Sequence, residues 1–295
     1  MLIVFLTTLI VSLLLARFLI WFFNKKGLVA VDYYKRDRRK IATCGGVVLL
    51  VIAILLMLIG AKTAATITII LFGIFGLVDD FVDIGRIAKI IVPVSFALPI
   101  IVYYNPSPFE ILVIALYVMV VANLVNMHSG FNGMAVGLST ILIFFLLLKT
   151  IIFERGLETF LSGMLGAHLG LLYYNKYPSR IFDGNVGSMI MGATVGVGIV
   201  LCGFLVSGFI MLIPHTANFL MYVYWRIRRA LNPKDERWKL VKFGKVREDG
   251  TLEVPNSLTL KWVLPKRYRM TEKQVVLAMY ALTTAFCLIA LPISF

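Results

Sequence analysis

Three short polar segments interrupt an otherwise apolar chain, and their residue types suit metal-assisted phosphate chemistry. The first contains the adjacent carboxylates Asp79 and Asp80, then Asp83, and ends with the basic residues Arg86 and Lys89. On a helix these carboxylates share one arc, because positions three and four apart are neighbours. Such like charges repel each other and oppose the helix dipole. We therefore expect a cation beside them, either a divalent metal or the basic side chains of a solvated turn.

The second polar segment is rich in Asn and Gly. It contains Asn123, Asn126 and Asn132, with Gly130 and Phe131 directly before the last. An amide oxygen is a neutral ligand for a hard cation, and a whole amide group pairs with a nucleobase edge. Backbone N–H groups exposed around the glycines suit phosphate. The alternative interpretation is an ordinary helix cap followed by a loop.

The third polar segment opens a predicted helix and contains Asp183 and Asn185. A carboxylate and an amide at a helix N-terminus suit a metal or phosphate site, although the same pattern is typical of a capping turn. Taken together, carboxylates, amides and nearby Lys and Arg are the groups that align and neutralise a transferring phosphoryl group. Because all three segments lie at the ends of apolar runs, we expect a lipid to carry the attacking group.

The elements that must position these residues are membrane helices. Of the 295 residues 60% are hydrophobic and 15% are charged, with a mean hydropathy of +0.92. Soluble domains are about half apolar and about a quarter charged, so a soluble enzyme is excluded. Ten apolar runs approach the roughly 20 residues that a spanning helix needs. They are residues 2–23, 44–60, 63–82, 88–104, 109–126, 134–153, 157–174, 187–201, 204–225 and 274–294.

The basic residues predict the orientation of these ten helices. Of 29 Lys and Arg, 25 lie in alternate loops on one side, as the positive-inside rule expects of cytoplasmic loops. An all-α integral membrane protein with both termini outside follows, and the positive charge suits an anionic leaflet rather than nucleic acid. The chain forms a single domain, 1–295. Its one sizeable loop, 226–273, is cytoplasmic and carries a short β-hairpin with an Asp249-Gly250 turn.

The motifs resemble those of the polyprenyl-phosphate N-acetylhexosamine-1-phosphate transferases. The resemblance rests on Asp79-Asp80 with Lys89, on an Asn-x-x-Asn-x-x-x-Gly-x-Asn-Gly pattern from Asn123, and on Tyr-Pro-Ser-Arg-x-Phe-x-Gly before the eighth helix. It covers nearly the whole chain, from Thr43 through the loop 226–273, and includes the count of ten helices. Within the family, the chain is most similar to the branch that begins the lipid carriers of N-glycans.

This resemblance implies transfer of N-acetylglucosamine-1-phosphate from UDP-GlcNAc to polyprenyl (dolichyl) phosphate, with Mg²⁺, or Mn²⁺ in its place, and with release of UMP. The partners are therefore these two substrates and the membrane lipid, and the active site lies on the cytoplasmic face of the cell membrane. The implied site residues are catalytic Asp79, Asp80 and Lys89, substrate-binding Asn123, Phe131, Asn132, Phe182, Lys234 and Arg237, and metal-binding Asn126, Asn185 and Asp183.

One position departs from the family pattern. The family usually has Gly-Asp before the eighth helix, with the Asp as a metal ligand, whereas this chain has Gly184-Asn185 and an Asp one residue before the glycine, Asp183. Either Asp183 takes the ligand role or Asn185 binds as a neutral ligand. The position after Gly184 favours Asn185.

Two other functions compete with this interpretation. A transporter of an anionic lipid-linked solute would spread its polar residues through the depth of the bilayer and show paired broken helices. A related sugar-1-phosphate transferase would use another UDP-sugar. The sequence leaves open the polyprenol length, the identity of the N-acetylhexosamine and a homodimer.

Overall fold

The computed structural model describes residues 1–82, 84–85, 87–104 and 106–295, and it is mostly helical. Asp83 and Arg86 of the acidic segment lie outside the described residues. The α-helices in the described part are α1 (Leu2–Lys26), α2 (Val47–Leu58), α3 (Thr63–Phe81), α4 (Ala88–Val94), α5 (Leu98–Tyr104), α6 (Pro108–Met127), α7 (Met134–Ile152), α8 (Glu158–Asn175), α9 (Gly184–Leu201), α10 (Leu205–Met211), α11 (Ile213–Leu231), α12 (Leu260–Arg267) and α13 (Glu272–Ala290).

Each predicted apolar run coincides with helical structure, but the helices differ in length. Among the described residues, six helices are long and apolar enough to cross a membrane, and the pair α10–α11, bent by 65°, makes seven if it forms one span. Helix α2 has 12 residues, and a 3₁₀ turn at Ser95–Ala97 divides the fourth run. The chain is an all-α multi-pass membrane protein. Ten spans and outward termini stay predictions.

Two short antiparallel strand pairs accompany the helices. Strands β1 (Val29–Val31) and β2 (Lys40–Ala42) pair in the loop after α1. Strands β3 (Lys245–Val246) and β4 (Leu252–Glu253) pair within the loop 226–273, where the sequence predicts a hairpin. Leu252 and Trp262 of this loop belong to a second apolar core, which they share with residues outside the loop such as Trp225 of α11 and Met134 of α7.

Helix α9 lies at the centre of the bundle, and small residues let its neighbours approach. A Cβ at Gly192 would lie 2.5 Å from the Cα of Ala122 in α6, and a Cβ at Gly76 in α3 would lie 2.5 Å from the carbonyl oxygen of Asn185. Helices in lipid associate through such close backbone contacts, because burying apolar surface there does not favour their association. Since α3 and α6 end, and α9 begins, with a polar segment, this packing brings the three segments together.

The start of α9 also packs closely against the chain before α2. The backbone N–H of Gly45 donates to the carbonyl of Phe182 (2.7 Å), and that of Gly46 donates to the carbonyl of Asp183 (2.8 Å). A Cβ at Gly46 would overlap the backbone of Gly187. The third polar segment is therefore positioned by contact between two backbones.

We expect Gly46→Ala to destabilise the protein, because the new methyl group meets backbone atoms that cannot rotate away. Overpacking of this kind costs about 1–3 kcal/mol, which lowers the thermal midpoint in detergent by several degrees. Gly85→Ala is the matched control, since no atom of the described residues lies within 4 Å of a Cβ there. Equal midpoints for the two variants would contradict the close contact.

Candidate active site

The polar segments meet at a cavity of about 470 Å³, which we call the first cavity. Its walls come from the chain around β1, the end of α6, the loop before α7 and the start of α9. A second cavity of about 550 Å³ adjoins it and lies against α11 and α12. The two cavities share the wall residues Asn126, Ser129, Gly130, Lys242 and Phe243.

Asp80 caps the N-terminus of α9. Its carboxylate accepts hydrogen bonds from the backbone N–H groups of Asn185 (2.8 Å) and Val186 (3.0 Å). These N–H groups have no acceptor within their own helix, so an outside acceptor must satisfy them. Gly184 has φ +71°, and a Cβ there would lie 2.6 Å from Oδ2 of Asp80. A glycine is thus needed where the two segments meet.

Asp79 has different partners from its neighbour. Its carboxylate forms an ion pair with Lys89 Nζ (2.8 Å). It also accepts a hydrogen bond from the backbone N–H of Ile84 (3.0 Å). Its side chain is 5% exposed. The expected cation beside the acidic segment is therefore present at Asp79 as a lysine, while Asp80 lines the first cavity.

The amide side chains of the second segment lie along both cavities. Asn126 lines the two of them, and its Oδ1 accepts a hydrogen bond from the Ser188 hydroxyl (2.8 Å). Asn123 lines the second cavity, and its Nδ2 donates to the carbonyl of Met119 (3.0 Å). The oxygen of each amide keeps lone pairs for a further donor or a cation.

Asn132 is buried, and its side-chain amide forms hydrogen bonds with two other segments of the chain. Its Oδ1 accepts from the backbone N–H of Ser179 (2.9 Å), and its Nδ2 donates to Asp32 (3.2 Å). One N–H of the amide remains for a ligand. Phe131 packs edge-on against Tyr34, with ring centroids 4.7 Å apart. Phe182 lies half-buried in the wall of the first cavity.

Asp183 and Asn185 also line the first cavity. Burial, and to a smaller extent the charge of Asp80, raises the pKa of Asp183 to about 6. In the described residues no three His, Cys, Asp or Glu side chains form a cluster able to bind a metal. Mg²⁺, however, usually takes one or two carboxylates and completes its shell with waters and substrate phosphate oxygens. Asp80 and Asp183 with a nearby amide oxygen fit that requirement.

Three lysines line the second cavity: Lys89, Lys242 and Lys261. Lys261 Nζ donates to the carbonyl of Ser129 (2.7 Å) and lies over the ring of Phe131, 5.3 Å from its centroid. Burial lowers the pKa of Lys261 to about 8. This ammonium group lies beside Gly130, where the two cavities meet.

The structure does not bring Lys234 and Arg237 to either cavity. Arg237 pairs with Asp235 (2.8 Å), and its side chain is 83% exposed. Asp235 also caps the short 3₁₀ turn Glu236–Trp238 through the backbone N–H of Arg237. The local sequence therefore orients Arg237 along its own loop, away from the cavities.

Comparison with known proteins finds a family similar to part of the chain. The model of glycosyl transferase family 4 matches residues 62–203, which include all three polar segments. This part of the chain is similar to that family. It is 29% identical to a provisionally named glycosyltransferase of Methanocaldococcus jannaschii, over 89% of this chain and 87% of the relative. The expected resemblance to sugar-phosphate transferases is confirmed.

Two further relatives carry more specific names. A protein of Saccharolobus solfataricus, provisionally named a UDP-N-acetylglucosamine–dolichyl-phosphate N-acetylglucosaminephosphotransferase, is 27% identical over 90% of this chain and 88% of its own length. A phospho-N-acetylmuramoyl-pentapeptide-transferase of Dictyoglomus turgidum is 26% identical over 51% of this chain and 56% of its own length. The chain is thus similar to relatives that are named for different substrates.

Some residues beside these cavities carry little signal in the sequence. Asp32, which precedes β2, and Glu272, which begins α13, accept hydrogen bonds from Asn132. Lys35 forms ion pairs with both of these carboxylates. Their only signal in the sequence was a pair of opposite charges three residues apart and an acidic first helical residue, both of which are common on surfaces. Lys242 and Lys261 were counted among the loop's charges but not singled out.

We expect Asp80→Ala to unfold at a lower temperature than Asp80→Asn, because alanine leaves two N–H groups of α9 without an acceptor while asparagine keeps one amide oxygen. Loss of a capping acceptor costs about 1–2 kcal/mol. Thermal unfolding in detergent measures the difference. Asp183→Asn is the control, since Asp183 precedes α9 without a side-chain cap bond. Equal midpoints for all three variants would rule out the capping role.

Proposed function

We propose that this protein transfers N-acetylglucosamine-1-phosphate from UDP-GlcNAc to a polyprenyl phosphate of the dolichyl type. An oxygen of the lipid phosphate attacks the β-phosphorus of the donor, the bond to UMP breaks, and GlcNAc-diphosphate-lipid forms. This is the first step of lipid-linked oligosaccharide assembly. The observation that carries the proposal is the adjacency of a polar cavity with carboxylates and amides to a more apolar cavity with lysines.

The second cavity suits the lipid acceptor. Apolar side chains of α4 and α11, including Ile90, Phe219 and Val223, line it. Helix α11 also carries an exposed apolar stripe of residues three and four positions apart, formed by Leu220, Tyr224, Ile227 and Leu231. Such a stripe favours contact with acyl chains. A lipid phosphate entering along α11 would meet the lysines of the second cavity.

The first cavity suits the nucleotide of the donor. Phe182 offers an aromatic face for stacking on uracil, and Asn132 retains one N–H for its edge. The name of the Saccharolobus relative supports UDP-GlcNAc and dolichyl phosphate as the substrates. The name of the Dictyoglomus relative keeps another UDP-sugar as the alternative donor.

A divalent cation, Mg²⁺ or Mn²⁺, would be bound by Asp80 and Asp183 with the amide oxygens of Asn126 or Asn185. Such an ion neutralises charge on the diphosphate when bound. Of the carboxylates that line the first cavity, Asp32 is paired with Lys35, which leaves Asp80 and Asp183. We favour Asp183 over Asn185 as the second ligand, because Mg²⁺ prefers anionic oxygen. Lys89, paired with Asp79, provides a fixed positive charge at the second cavity.

We place both cavities at the cytoplasmic face of the cell membrane, where nucleotide sugars are made. The 25 Lys and Arg residues in alternate loops support this orientation, with ten spans and both termini outside. In that orientation the loop 226–273, which contributes Lys242 and Lys261 to the second cavity, is cytoplasmic.

The function is tested by offering UDP-GlcNAc, UDP-GalNAc and UDP-MurNAc-pentapeptide with dolichyl and undecaprenyl phosphates to the purified protein. We expect transfer from UDP-GlcNAc to dolichyl phosphate, and a loss of turnover by about two orders of magnitude or more in Asp79→Asn and Asp80→Asn. Transfer from another donor alone would replace the substrate assignment. Absence of transfer from all three donors would contradict the function.

A Mg²⁺ titration tests the metal ligands. We expect Asp183→Asn to raise the Mg²⁺ concentration needed for half-maximal transfer by about tenfold or more, because the start of α9 then offers no anion. Asn185→Asp in that background should restore part of the activity. If Asn185 is the ligand instead, Asp183→Asn is nearly silent and Asn185→Ala is severe. Insensitivity of all these variants would remove the segment from the metal site.

A comparison of two basic residues tests which cations bind the substrates. We expect Lys261→Met to raise KM for one substrate by about tenfold, because a partly buried charge at the cavity is lost. Arg237→Met should change neither KM, since Arg237 is exposed and paired with Asp235. The family resemblance by itself predicts a role for Arg237, so the opposite result would restore it and contradict the assignment of Lys261.

A further inference from the structure

A buried group of charged side chains lies behind the first cavity, and the reaction proposed above does not use it. Asp32 is 2% exposed and Glu272 is 3% exposed. Lys35 lies between them: its Nζ is 3.3 Å from Asp32 Oδ2 and forms a closer ion pair with Glu272. The Lys35 ammonium also faces the ring of Tyr177, 4.4 Å from its centroid.

This charged group is bonded directly to Asn132. The backbone N–H of Asn132 donates to Glu272 Oε1 (2.7 Å), and its side-chain Nδ2 donates to Asp32 Oδ2 (3.2 Å). From the opposite side, the backbone N–H of Ser179 donates to Asn132 Oδ1 (2.9 Å). The main chain and the side chain of Asn132 are thus both oriented by partners from other segments.

The partners come from four separate parts of the chain. Asp32 and Lys35 belong to the loop after β1, Asn132 to the loop before α7, and Tyr177 and Ser179 to the segment before α9. Glu272 is the first residue of α13. The first three of these segments also contribute to the wall of the first cavity. The charged group therefore links the loops that shape this cavity to a helix outside it.

A stabilising role alone does not account for these residue types. Burying charges costs several kcal/mol for each ion, and well-packed apolar residues often stabilise a protein equally well or better. Ion pairs and charge-assisted hydrogen bonds are directional, however, and they select one geometry of the groups that they join. Lys35 holds the carboxylates of Asp32 and Glu272 in place, and these two carboxylates in turn orient Asn132.

We propose that Glu272 and Lys35 are positioning residues, which set the affinity for the donor nucleotide by orienting Asn132 and its loop. This inference rests on the proposed function, in which Asn132 contacts the base. Neither residue touches the substrate in this proposal. Their effect reaches the nucleotide through the hydrogen bonds of Asn132 and through the positions of the neighbouring loops.

The test compares Glu272→Ala and Lys35→Met with the wild-type protein in the transfer assay. We expect each variant to raise KM for UDP-GlcNAc by about tenfold, and to leave kcat and KM for dolichyl phosphate within about threefold. Binding of UMP, measured directly on the purified proteins, should weaken by the same factor. Because both residues act through Asn132, the double variant should weaken UMP binding by less than the product of the single effects.

Two variants serve as matched controls. Glu158 begins α8 as Glu272 begins α13, and Lys273 is the exposed neighbour of Glu272. Glu158→Ala and Lys273→Met should keep wild-type UMP affinity.

The alternatives give different results. A merely structural role lowers the concentration of active protein, so that apparent kcat falls while both KM values and the UMP affinity of the folded fraction stay at wild-type values; that result overturns the proposal. If the wild-type protein binds UMP and both variants bind it equally well, the positioning role is overturned and the proposed function stands. A wild-type protein that binds no UMP contradicts the proposed donor itself, and the positioning role with it.

Discussion

The N-terminus of α9 imposes the constraint on which the rest of this structure depends. The first backbone N–H groups of a helix have no acceptor within the helix, and leaving such a group unpaired in a buried position costs free energy. Asp80, from the end of α3, accepts two of these hydrogen bonds. The glycines Gly46, Gly76 and Gly184 let the backbones and the carboxylate come close enough. The same contact brings the acidic segment to the cavity, so the packing of the bundle and the assembly of the site have one cause.

The other buried charges at this end of the bundle are also held by partners. Lys89 of α4 neutralises Asp79 of α3, and Lys35 lies between Asp32 and Glu272. Buried charges need such partners because their desolvation is costly. The pairs Lys89–Asp79 and Lys35–Glu272 each join two elements. These pairs help to position the loops around the two cavities.

The two cavities differ in polarity, as the proposed reaction between a polar donor and a lipid acceptor requires. Carboxylates and amides line the first, whereas the second combines lysines with apolar side chains beside α11. Asn126 and Gly130 belong to the wall that the two cavities share. Lysines line the second cavity, whereas Lys234 and Arg237, the basic residues that the family resemblance implied, lie on the exposed surface of the loop.

The sequence by itself determined the class of fold, the positions of the helices and the three polar segments, since hydropathy and polar interruptions are local properties of the chain. It also identified Asp80, Asn126, Asn132, Phe182 and Asp183 as residues of one site, and the first cavity contains them all. Only the tertiary structure decided that Asp79 and Asp80 have separate partners, that Lys261 rather than Arg237 reaches a cavity, and that Glu272 binds Asn132 across 140 residues. Such contacts depend on how helices approach one another, and the spacing of residues along one segment does not predict that approach.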